Sequence, residues 1–473
     1  MPPSGRSRSL LLWLVAVGFF MQTLDATIVN TALPAMADSL GESPLRMQSV
    51  VVAYSLAMAM LIPASGWIAD RFGARRVYLC AIVAFVLGSV ACALSPRLDV
   101  LVAARVLQGL GGALLLPVGR LVLLRTFPRE QFLEAMSFVA IPGLIGPLIG
   151  PTLGGWLVEA ASWHWIFLIN VPVGVAGCLA TLRFMPQVPG APVKRFDLSG
   201  YLLLAFGMVA LSLALDGLSS LGLRQAGVLV LMVFGLASLV AYWLHAASKP
   251  DPLFSPHLFA VPSLRIGLLG NLFARLGSAC MPFLIPLLLQ VSMGYSPMHA
   301  GLMMLPVAIA GMGMKQVATP LIRHLGYRRV LVGNTVAVGL MMASFALAAP
   351  GQPVWVRVVQ LALFGAVNSL QFTAMNTVTL KDLTQDNASS GNSLLSMVQM
   401  VAMGMGVAAA GTVLAAFTGF FGAAEGSGGV RTLHAFQATF ACMGLITVAS
   451  AGIFAQLSAD ERPAAKTEAD VEG

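Results

Sequence analysis

Charged residues are scarce in this chain. Only 10% of its 473 residues are Asp, Glu, Lys or Arg, whereas 58% are hydrophobic. Soluble domains carry roughly 25% charged residues, so the composition excludes an ordinary soluble enzyme. Apolar runs recur along the chain, and each is long enough to cross a bilayer of ~30 Å as a helix. The sequence therefore predicts an all-α polytopic membrane protein.

Side chains that support enzymatic or metal chemistry are also few and scattered. The five cysteines fall in or beside apolar runs and show neither metal-binding nor disulfide spacing. The six histidines lie mainly near predicted helix ends and form no cluster. The glycine-rich stretch 142–155 is not followed by a lysine, which argues against a phosphate-binding loop. We therefore expect no metal, no cofactor, no ATP-driven cycle and no catalytic centre, so a membrane enzyme is disfavoured.

The apolar runs predict about fourteen transmembrane helices. Their spans are 10–34, 47–69, 77–95, 98–124, 132–160, 163–184, 196–218, 225–246, 264–290, 298–320, 327–349, 353–380, 395–421 and 432–456. Lys and Arg concentrate in alternate loops, while the opposite loops hold only Arg46, Arg97, Arg224 and Arg431. Because basic loops stay cytoplasmic, both termini are expected in the cytoplasm and the net charge of +8 reflects topology rather than nucleic-acid binding.

A weak internal repeat suggests two halves. The segment from Gly66 to Arg76 follows the second span, and a similar basic segment from Ile322 to Arg329 follows the tenth. We predict one six-helix half at 1–190, two inserted helices at 191–250, a second six-helix half at 251–457 and a disordered cytoplasmic tail at 458–473. Parallel halves with a substrate path between them are a transporter design.

The segment Gly66–Arg76, called the gating turn below, combines glycines with charges of both signs. Its notable positions are Gly66, Asp70, Arg71, Gly73, Arg75 and Arg76. A carboxylate at position 70 can pair with arginines and with a helix N-terminus, forming a latch that breaks when the halves move. Ordinary cytoplasmic charge explains the arginines but not the spacing of the glycines and Asp70.

Asp25 and Arg105 are ionisable residues inside predicted spans. An intramembrane charge is costly unless it is paired, protonated or wetted, so Asp25 is a functional candidate. Both residues lie in the outer half of the bilayer by helix rise. Arg105 could pair with Asp25, or it could tune its proton affinity without contact. A static ion pair that fixes helix register is the alternative.

The fifth span contains small residues at four-residue spacing. The set comprises Gly146, Gly150, Pro151, Gly154 and Gly155. Glycines at this spacing form a smooth face for a neighbouring helix, and prolines bend the helix. The span is therefore interpreted as a hinge or a tight seam between helices.

Further polar residues lie at membrane depth. The uncharged ones are Gln22, Asn30, Asn271, Gln290, Asn368, Gln371 and Asn376, and the charged ones are Arg275, Lys315, Arg120 and Glu134. The uncharged residues either line a substrate cavity or form interhelical hydrogen bonds. Lys315, Arg120 and Glu134 can extend towards the membrane surface. Arg275 is too deep for that, and so it either meets substrate or opposes a carboxylate.

Together these motifs resemble the major facilitator superfamily and, within it, the fourteen-helix drug:proton antiporter branch. The stretches Leu24–Pro34, Trp163–Gly174 and Phe196–Gly200 also resemble signatures of that branch. Ala74 replaces the usual arginine of the gating turn, and Arg323 stands in the second copy where Asp70 stands in the first. These departures put a second latch in doubt.

The resemblance implies proton-driven export of drugs or amphiphiles across a bacterial inner membrane. A central cavity would open alternately to each side, and protonation of Asp25 would be exchanged against substrate. The alternative is export of an endogenous organic anion, such as a carboxylate or its metal chelate, because cationic side chains outnumber acidic ones within the spans. The expected partners are protons, a small molecule and the lipid bilayer, with the protein as a monomer.

Overall fold

The computed structural model describes residues 5–127, 129–187, 196–217, 225–383, 385–422 and 429–458. The regular structure in these ranges is helical, which confirms the predicted all-α class. Thirteen of the described helical segments are long and apolar enough to cross a membrane. The helix Arg129–Ala160 occupies the remaining predicted span, the fifth. Helices suit a bilayer because each satisfies its backbone hydrogen bonds internally.

The described residues up to 187 contain eight helices. They are α1 (Gly5–Leu40), α2 (Gln48–Leu61), α3 (Ser65–Phe72), α4 (Ala74–Ala93), α5 (Leu98–Thr126), α6 (Arg129–Ala160), α7 (Trp165–Leu168) and α8 (Asn170–Phe184). A 3₁₀ turn at Ile62–Ala64 joins α2 to α3, so the two form one continuous span. The predicted span 163–184 is divided at Ile169 into α7 and α8. Helix α1 extends beyond the predicted 10–34 at both ends.

The described residues from 196 onward contain ten helices. They are α9 (Leu198–Gly217), α10 (Gln225–Ser248), α11 (Pro262–Ser278), α12 (Met281–Leu287), α13 (Pro297–Leu302), α14 (Leu305–Leu325), α15 (Tyr327–Ser344), α16 (Val354–Leu380), α17 (Gln385–Phe420) and α18 (Val430–Phe454). The predicted span 264–290 is interrupted between α11 and α12 and ends in a π-helical turn at Leu288–Ser292. Pro286 lacks a backbone donor just before that turn, which favours the irregular hydrogen bonding. Helix α17 begins ten residues before the predicted 395. Of the predicted tail, only Ser458 lies within the described residues.

The two similar basic segments form turns of the same shape. Gly73 links α3 to α4 with φ +86°, and Gly326 links α14 to α15 with φ +81°. Each glycine donates its amide to the carbonyl four residues earlier, Ala69 and Ile322 respectively. Positive φ favours glycine because it has no Cβ. The two turns mark one end of the helix bundle, which we call the basic end.

Packing differs between the two ends. Away from the basic end, a single apolar core joins both parts of the chain and includes Met36, Leu101, Phe283 and Phe440. Towards the basic end, the first part packs around its own core, and the last helices pack around another. The two parts therefore share one core at the end opposite the basic turns, whereas towards the basic end each has its own core and α17 makes the contact between them, against α2 and the 3₁₀ turn that follows it.

Helices α9 and α10 are anchored by Asp197, which immediately precedes α9. Its buried carboxylate accepts hydrogen bonds from Lys249 Nζ at 2.7 Å, His245 Nε2 at 2.8 Å, Gly200 N at 3.1 Å and Leu253 N at 3.3 Å. Burial alone would raise the pKa of Asp197, but the hydrogen bonds from Lys249, His245 and the two amides lower this pKa to about 2. The contact ties the start of α9 to the end of α10 and to the segment before α11.

Candidate functional site

Asp25 lies on α1 and is the centre of a buried polar cluster. Its Oδ2 accepts a hydrogen bond from Arg105 Nη1 on α5 at 2.6 Å, and both side chains are almost completely buried. Its Oδ1 accepts from Gln108 Nε2 at 2.7 Å and from Asn170 Nδ2 at 3.1 Å. Three donors on two other helices therefore surround one carboxylate, and Asp25 and Arg105 are in direct contact.

The guanidinium of Arg105 is held on several sides. Its Nη1 also donates to Gln108 Oε1 at 2.6 Å, and its Nε donates to the Val50 carbonyl at 3.2 Å. The Tyr54 ring lies 4.2 Å from the guanidinium carbon, which is a cation–π arrangement. An arginine stays ionised under all ordinary conditions, so this charge needs the carboxylate opposite it.

Gln108 and Asn170 complete the cluster, and the sequence analysis assigned neither of them. Ser89 on α4 accepts from both, at 2.8 Å from Gln108 and 3.3 Å from Asn170. Gln108 could have been found because it follows Arg105 by three residues on the same helix face. Asn170 lies in the 163–174 stretch that carried a family resemblance but no residue role. Asp25 is the only carboxylate among these five side chains, so its negative charge is what holds Arg105, Gln108 and Asn170 to α1.

Two predicted cavity residues on α1 are buried near Asp25. The side-chain oxygens Oε1 of Gln22 and Oδ1 of Asn30 have no hydrogen-bond donor among the described residues. The Tyr54 hydroxyl donates to the Gln22 main-chain carbonyl at 3.4 Å. Unsatisfied buried oxygens are costly, so these two positions are unusual among the buried polar groups of α1.

The predicted polar residues of the second half form interhelical hydrogen bonds. Asn271 Nδ2 donates to the Thr379 hydroxyl of α16 at 3.4 Å, and its Oδ1 accepts from Gln399 of α17 at 3.4 Å. Gln399 also donates to Asn376 at 2.6 Å. Gln371 accepts from Asn334 at 2.8 Å and donates to Thr335 at 2.6 Å. Asn368 is half-buried on α16. Of the two interpretations left open, hydrogen bonding between helices therefore describes Asn271, Gln371 and Asn376.

Arg275 differs from these residues because part of its guanidinium has no partner. Its Nε and Nη2 are buried and make no hydrogen bond within the part of the chain that the structure describes. Its guanidinium carbon lies 4.5 Å from the centre of the Phe372 ring. The interpretation that Arg275 opposes a carboxylate therefore has no support among the described side chains.

The position of Phe372 shows which way this part of α16 faces. Val359 and Leu363 are exposed on one face of α16, as expected for contact with lipid. Phe372 is 41% exposed and lies nine residues after Leu363, about two and a half helical turns, so it is on the opposite face. The Arg275 guanidinium is therefore beside the face of α16 that is opposite Val359 and Leu363. Lys315 is half-buried, Arg120 Nε makes no hydrogen bond with the residues that the structure describes, and the side chain of Glu134 is outside those residues.

The gating turn forms an ion pair with a partner that the sequence did not predict. Asp70 Oδ1 lies 2.6 Å from Nη2 of Arg125, which is at the end of α5 and outside the gating turn. Arg75 instead donates to the Leu182 carbonyl of α8, and Arg71 and Arg76 are exposed. The sequence predicted that Asp70 can pair with arginines, and the arginine that the structure brings to it is Arg125, because α3 lies against α5. Gly66 is exposed, and a Cβ there would meet no atom within 4 Å.

The glycines of α6 allow two close helix contacts. A Cβ at Gly146, Gly150 or Gly154 would lie 2.3–2.4 Å from atoms of α1. Gly155 faces the other way, where a Cβ would lie 2.2 Å from the Pro297 carbonyl oxygen of α13. The Pro151 carbonyl accepts from Thr31 Oγ1 of α1 at 3.1 Å. This helix is therefore a seam that joins α1 on one side and the second half on the other.

Hydrogen bonds also join the halves at the end opposite the basic turns. Gln290 Nε2 donates to the Thr31 carbonyl at 3.0 Å, which places this predicted cavity residue at the closed end. Thr152 Oγ1 donates to the Gly301 carbonyl at 3.2 Å. The Met298 amide donates to Glu159 Oε1 at 2.8 Å. These contacts close the path between the halves at that end.

Comparisons with known proteins agree over nearly the whole chain. The family model of the Major Facilitator Superfamily matches residues 15–407. The multidrug resistance protein MdtD of Serratia proteamaculans is 52% identical over 450 residues, covering 95% of this chain and 93% of the relative. The protein of that name from Cronobacter sakazakii is 51% identical over 449 residues, covering 95% and 94%.

Solved structures of transporters share the fold. A POT family transporter in complex with 5-aminolevulinic acid has a TM-score of 0.69 at 16% identity, covering 95% of both chains. A bacterial homologue of the human lysosomal transporter Spinster, in an inward-facing and unoccupied conformation, has a TM-score of 0.66 at 16% identity and covers 96% of this chain and 97% of that chain.

Proposed function

Because this chain belongs to the Major Facilitator Superfamily, we propose that it exports drugs or other amphiphilic small molecules in exchange for protons. It is a multi-pass membrane transport protein and not an enzyme. The 50–52% identical relatives are named for multidrug resistance, which supports efflux as the direction of transport. The observation that carries proton coupling is the fully buried carboxylate of Asp25, bound to Arg105.

The proposed cycle uses the Asp25 cluster as its proton switch. In the ionised state, Asp25 draws Arg105, Gln108 and Asn170 together and fixes α1 against α5 and α8. A proton on Asp25 removes its charge, weakens all three hydrogen bonds and leaves Arg105 without a counter-ion. The helices can then rearrange. Substrate and proton compete because each of them binds to the state in which the cluster is intact.

The unequal packing of the two ends supports alternating access. We propose, from the basic loops, that the basic end and both termini are in the cytoplasm of a bacterial cell and that the protein is in the inner membrane. With this orientation the joined core is at the outer face and the conformation is inward-facing. Closure at the cytoplasmic side would bring the gating turn, with its Asp70–Arg125 pair, towards the second half. A single copy of the chain provides the whole path.

The test is proton release from purified protein reconstituted in liposomes. Addition of a cationic dye should release protons from the wild type, and Asp25→Asn should abolish this release while retaining dye binding. Asp197→Asn is the matched control, because it removes a buried carboxylate outside the transport path. Proton release that survives in Asp25→Asn would contradict the proposed switch.

A second candidate function is export of an organic anion, and Arg275 favours it. We infer that its Nε and Nη2, which make no hydrogen bond among the described residues, face the substrate path and could receive a carboxylate. Arg275→Gln should then weaken transport of a tricarboxylate far more than transport of a neutral dye. Arg120→Gln serves as the control, since Arg120 also has an unpartnered Nε. Equal loss of both activities in Arg275→Gln would count against an anionic cargo.

A further inference from the structure

A cavity lies outside the path between the halves. It has a volume of about 750 Å³ and is bounded by α2, α5 and the inserted helix α9. Apolar side chains form its walls, including Val52, Leu56, Val102, Val106 and Leu213. This volume is within the ~300–1,000 Å³ typical of ligand sites. Neither Asp25 nor Arg105 lines the cavity, so it is separate from the proton switch.

The walls continue onto the membrane-facing surface. Val106 is 39% exposed and Leu213 is 37% exposed, so the cavity is a groove that opens sideways between α5 and α9. Within a bilayer, a groove with this opening is in contact with hydrocarbon rather than with water. An acyl chain can enter it without crossing a polar barrier.

Charged residues line the groove where it approaches the loops opposite the basic end. Arg46 pairs with Glu42 just before α2, and Arg97 Nη2 pairs with Asp99 Oδ2 at 2.8 Å at the start of α5. The mouth therefore carries two positive and two negative charges and has no net charge. A headgroup with only negative charge would meet two carboxylates there, whereas a zwitterion can satisfy both signs. Arginine is well suited to bind phosphate, and a carboxylate to bind an ammonium group.

We propose that this groove binds one zwitterionic phospholipid with a phosphoethanolamine headgroup. Its phosphate lies against Arg46 and Arg97, its ammonium lies against Glu42 and Asp99, and one acyl chain lies between α2, α5 and α9. The lipid fills the space between the first half and the inserted helices, and so links them. This role is independent of the transported substrate and of the proton.

Lipid retention by the full-length protein tests this proposal. The purified protein is equilibrated with equal amounts of phosphatidylethanolamine and phosphatidylglycerol, and bound lipid is counted by native mass spectrometry. The wild type should retain phosphatidylethanolamine about tenfold better, which corresponds to ~1.4 kcal/mol. Val106→Trp should lose this lipid because the indole occupies the groove. Leu363→Trp should behave like the wild type, because Leu363 is exposed to a similar degree on the distant α16.

A charge variant provides an independent measurement if Val106→Trp does not fold. Arg97→Gln leaves the apolar walls unchanged but removes one phosphate contact and half of the positive charge. It should reduce the preference for phosphatidylethanolamine over phosphatidylglycerol towards unity. Equal retention of both lipids by the wild type, a preference for the anionic lipid, or undiminished retention by Val106→Trp would each overturn the proposal.

Discussion

Replacing Asp25 by Asn should destabilise the protein strongly, because it leaves a buried guanidinium without a counter-ion. The two side chains are almost completely buried and their charged atoms are 2.6 Å apart. Removing one partner of such a buried pair lowers the free energy of unfolding by about 3–5 kcal/mol. The remaining amide could still accept a hydrogen bond, but it would not neutralise Arg105.

The reciprocal variant should cost less. In Arg105→Gln the isolated carboxylate can bind a proton and become neutral, whereas a guanidinium cannot lose its charge. The double variant Asp25→Asn with Arg105→Gln contains no buried charge at this position. Its free energy of unfolding should therefore exceed that of Asp25→Asn by about 2 kcal/mol or more, within the range measured for coupled residues.

Unfolding can be followed in mixed micelles by the reactivity of the buried thiols of Cys92 and Cys280, after the exposed Cys80 has been blocked. Proton release on substrate addition is measured on the same preparations in liposomes. We expect the double variant to recover stability but not proton release. This combination separates the structural role of the ion pair from the proposed role of Asp25 as proton carrier.

Two outcomes would refute the reasoning. If Asp25→Asn unfolds within about 0.5 kcal/mol of the wild type, as surface substitutions do, the pair does not stabilise the folded state as its burial requires. If the stable double variant still releases protons on substrate addition, another group carries the proton.

Three further predictions concern other parts of the molecule. Gly154→Ala should lower the free energy of unfolding by about 1–3 kcal/mol, because its Cβ would lie 2.4 Å from an α1 carbonyl oxygen. Gly313→Ala should leave this free energy unchanged, because a Cβ there meets no atom within 4 Å. Equal melting temperatures for the two variants would contradict the close α6–α1 contact. Asp70→Asn should reduce transport in liposomes but change the free energy of unfolding by no more than about 1 kcal/mol, since its ion pair is partly exposed. A large loss of stability would show that the turn is a structural support rather than a moving latch. The pKa of Asp197 in the folded state, about 2, is below its usual 3.8. The ionised group therefore stabilises the protein above pH ~4, and its contribution is lost as the pH falls towards 2. Asp197→Asn should be less stable than the wild type at pH 6, and the difference should disappear near pH 2.

Several features of the fold were predictable because they depend on local composition. Long apolar runs need only a count of residues to predict membrane helices, and each predicted span is occupied by helical structure. The repeated turns were visible because glycine is favoured at positive φ, at Gly73 and Gly326 alike. Breaks inside the spans, such as the one between α11 and α12, were missed because apolar composition is the same on both sides of them.

The sequence by itself determined the membrane class, the approximate spans and the two unusual charges, Asp25 and Arg105, because an ionisable group in an apolar run is conspicuous without any structure. Only the tertiary structure decided which groups meet. Helices that are distant in sequence bring Gln108 and Asn170 to Asp25, direct Asp70 to Arg125, and satisfy Asn271 and Gln371 within the second half, while part of the Arg275 guanidinium has no hydrogen-bond partner among the described residues. Hydrogen bonding and charge pairing act over a few ångströms in space, and the rotation of one helix against another, which sets those distances, is not encoded in the hydrophobicity of either helix.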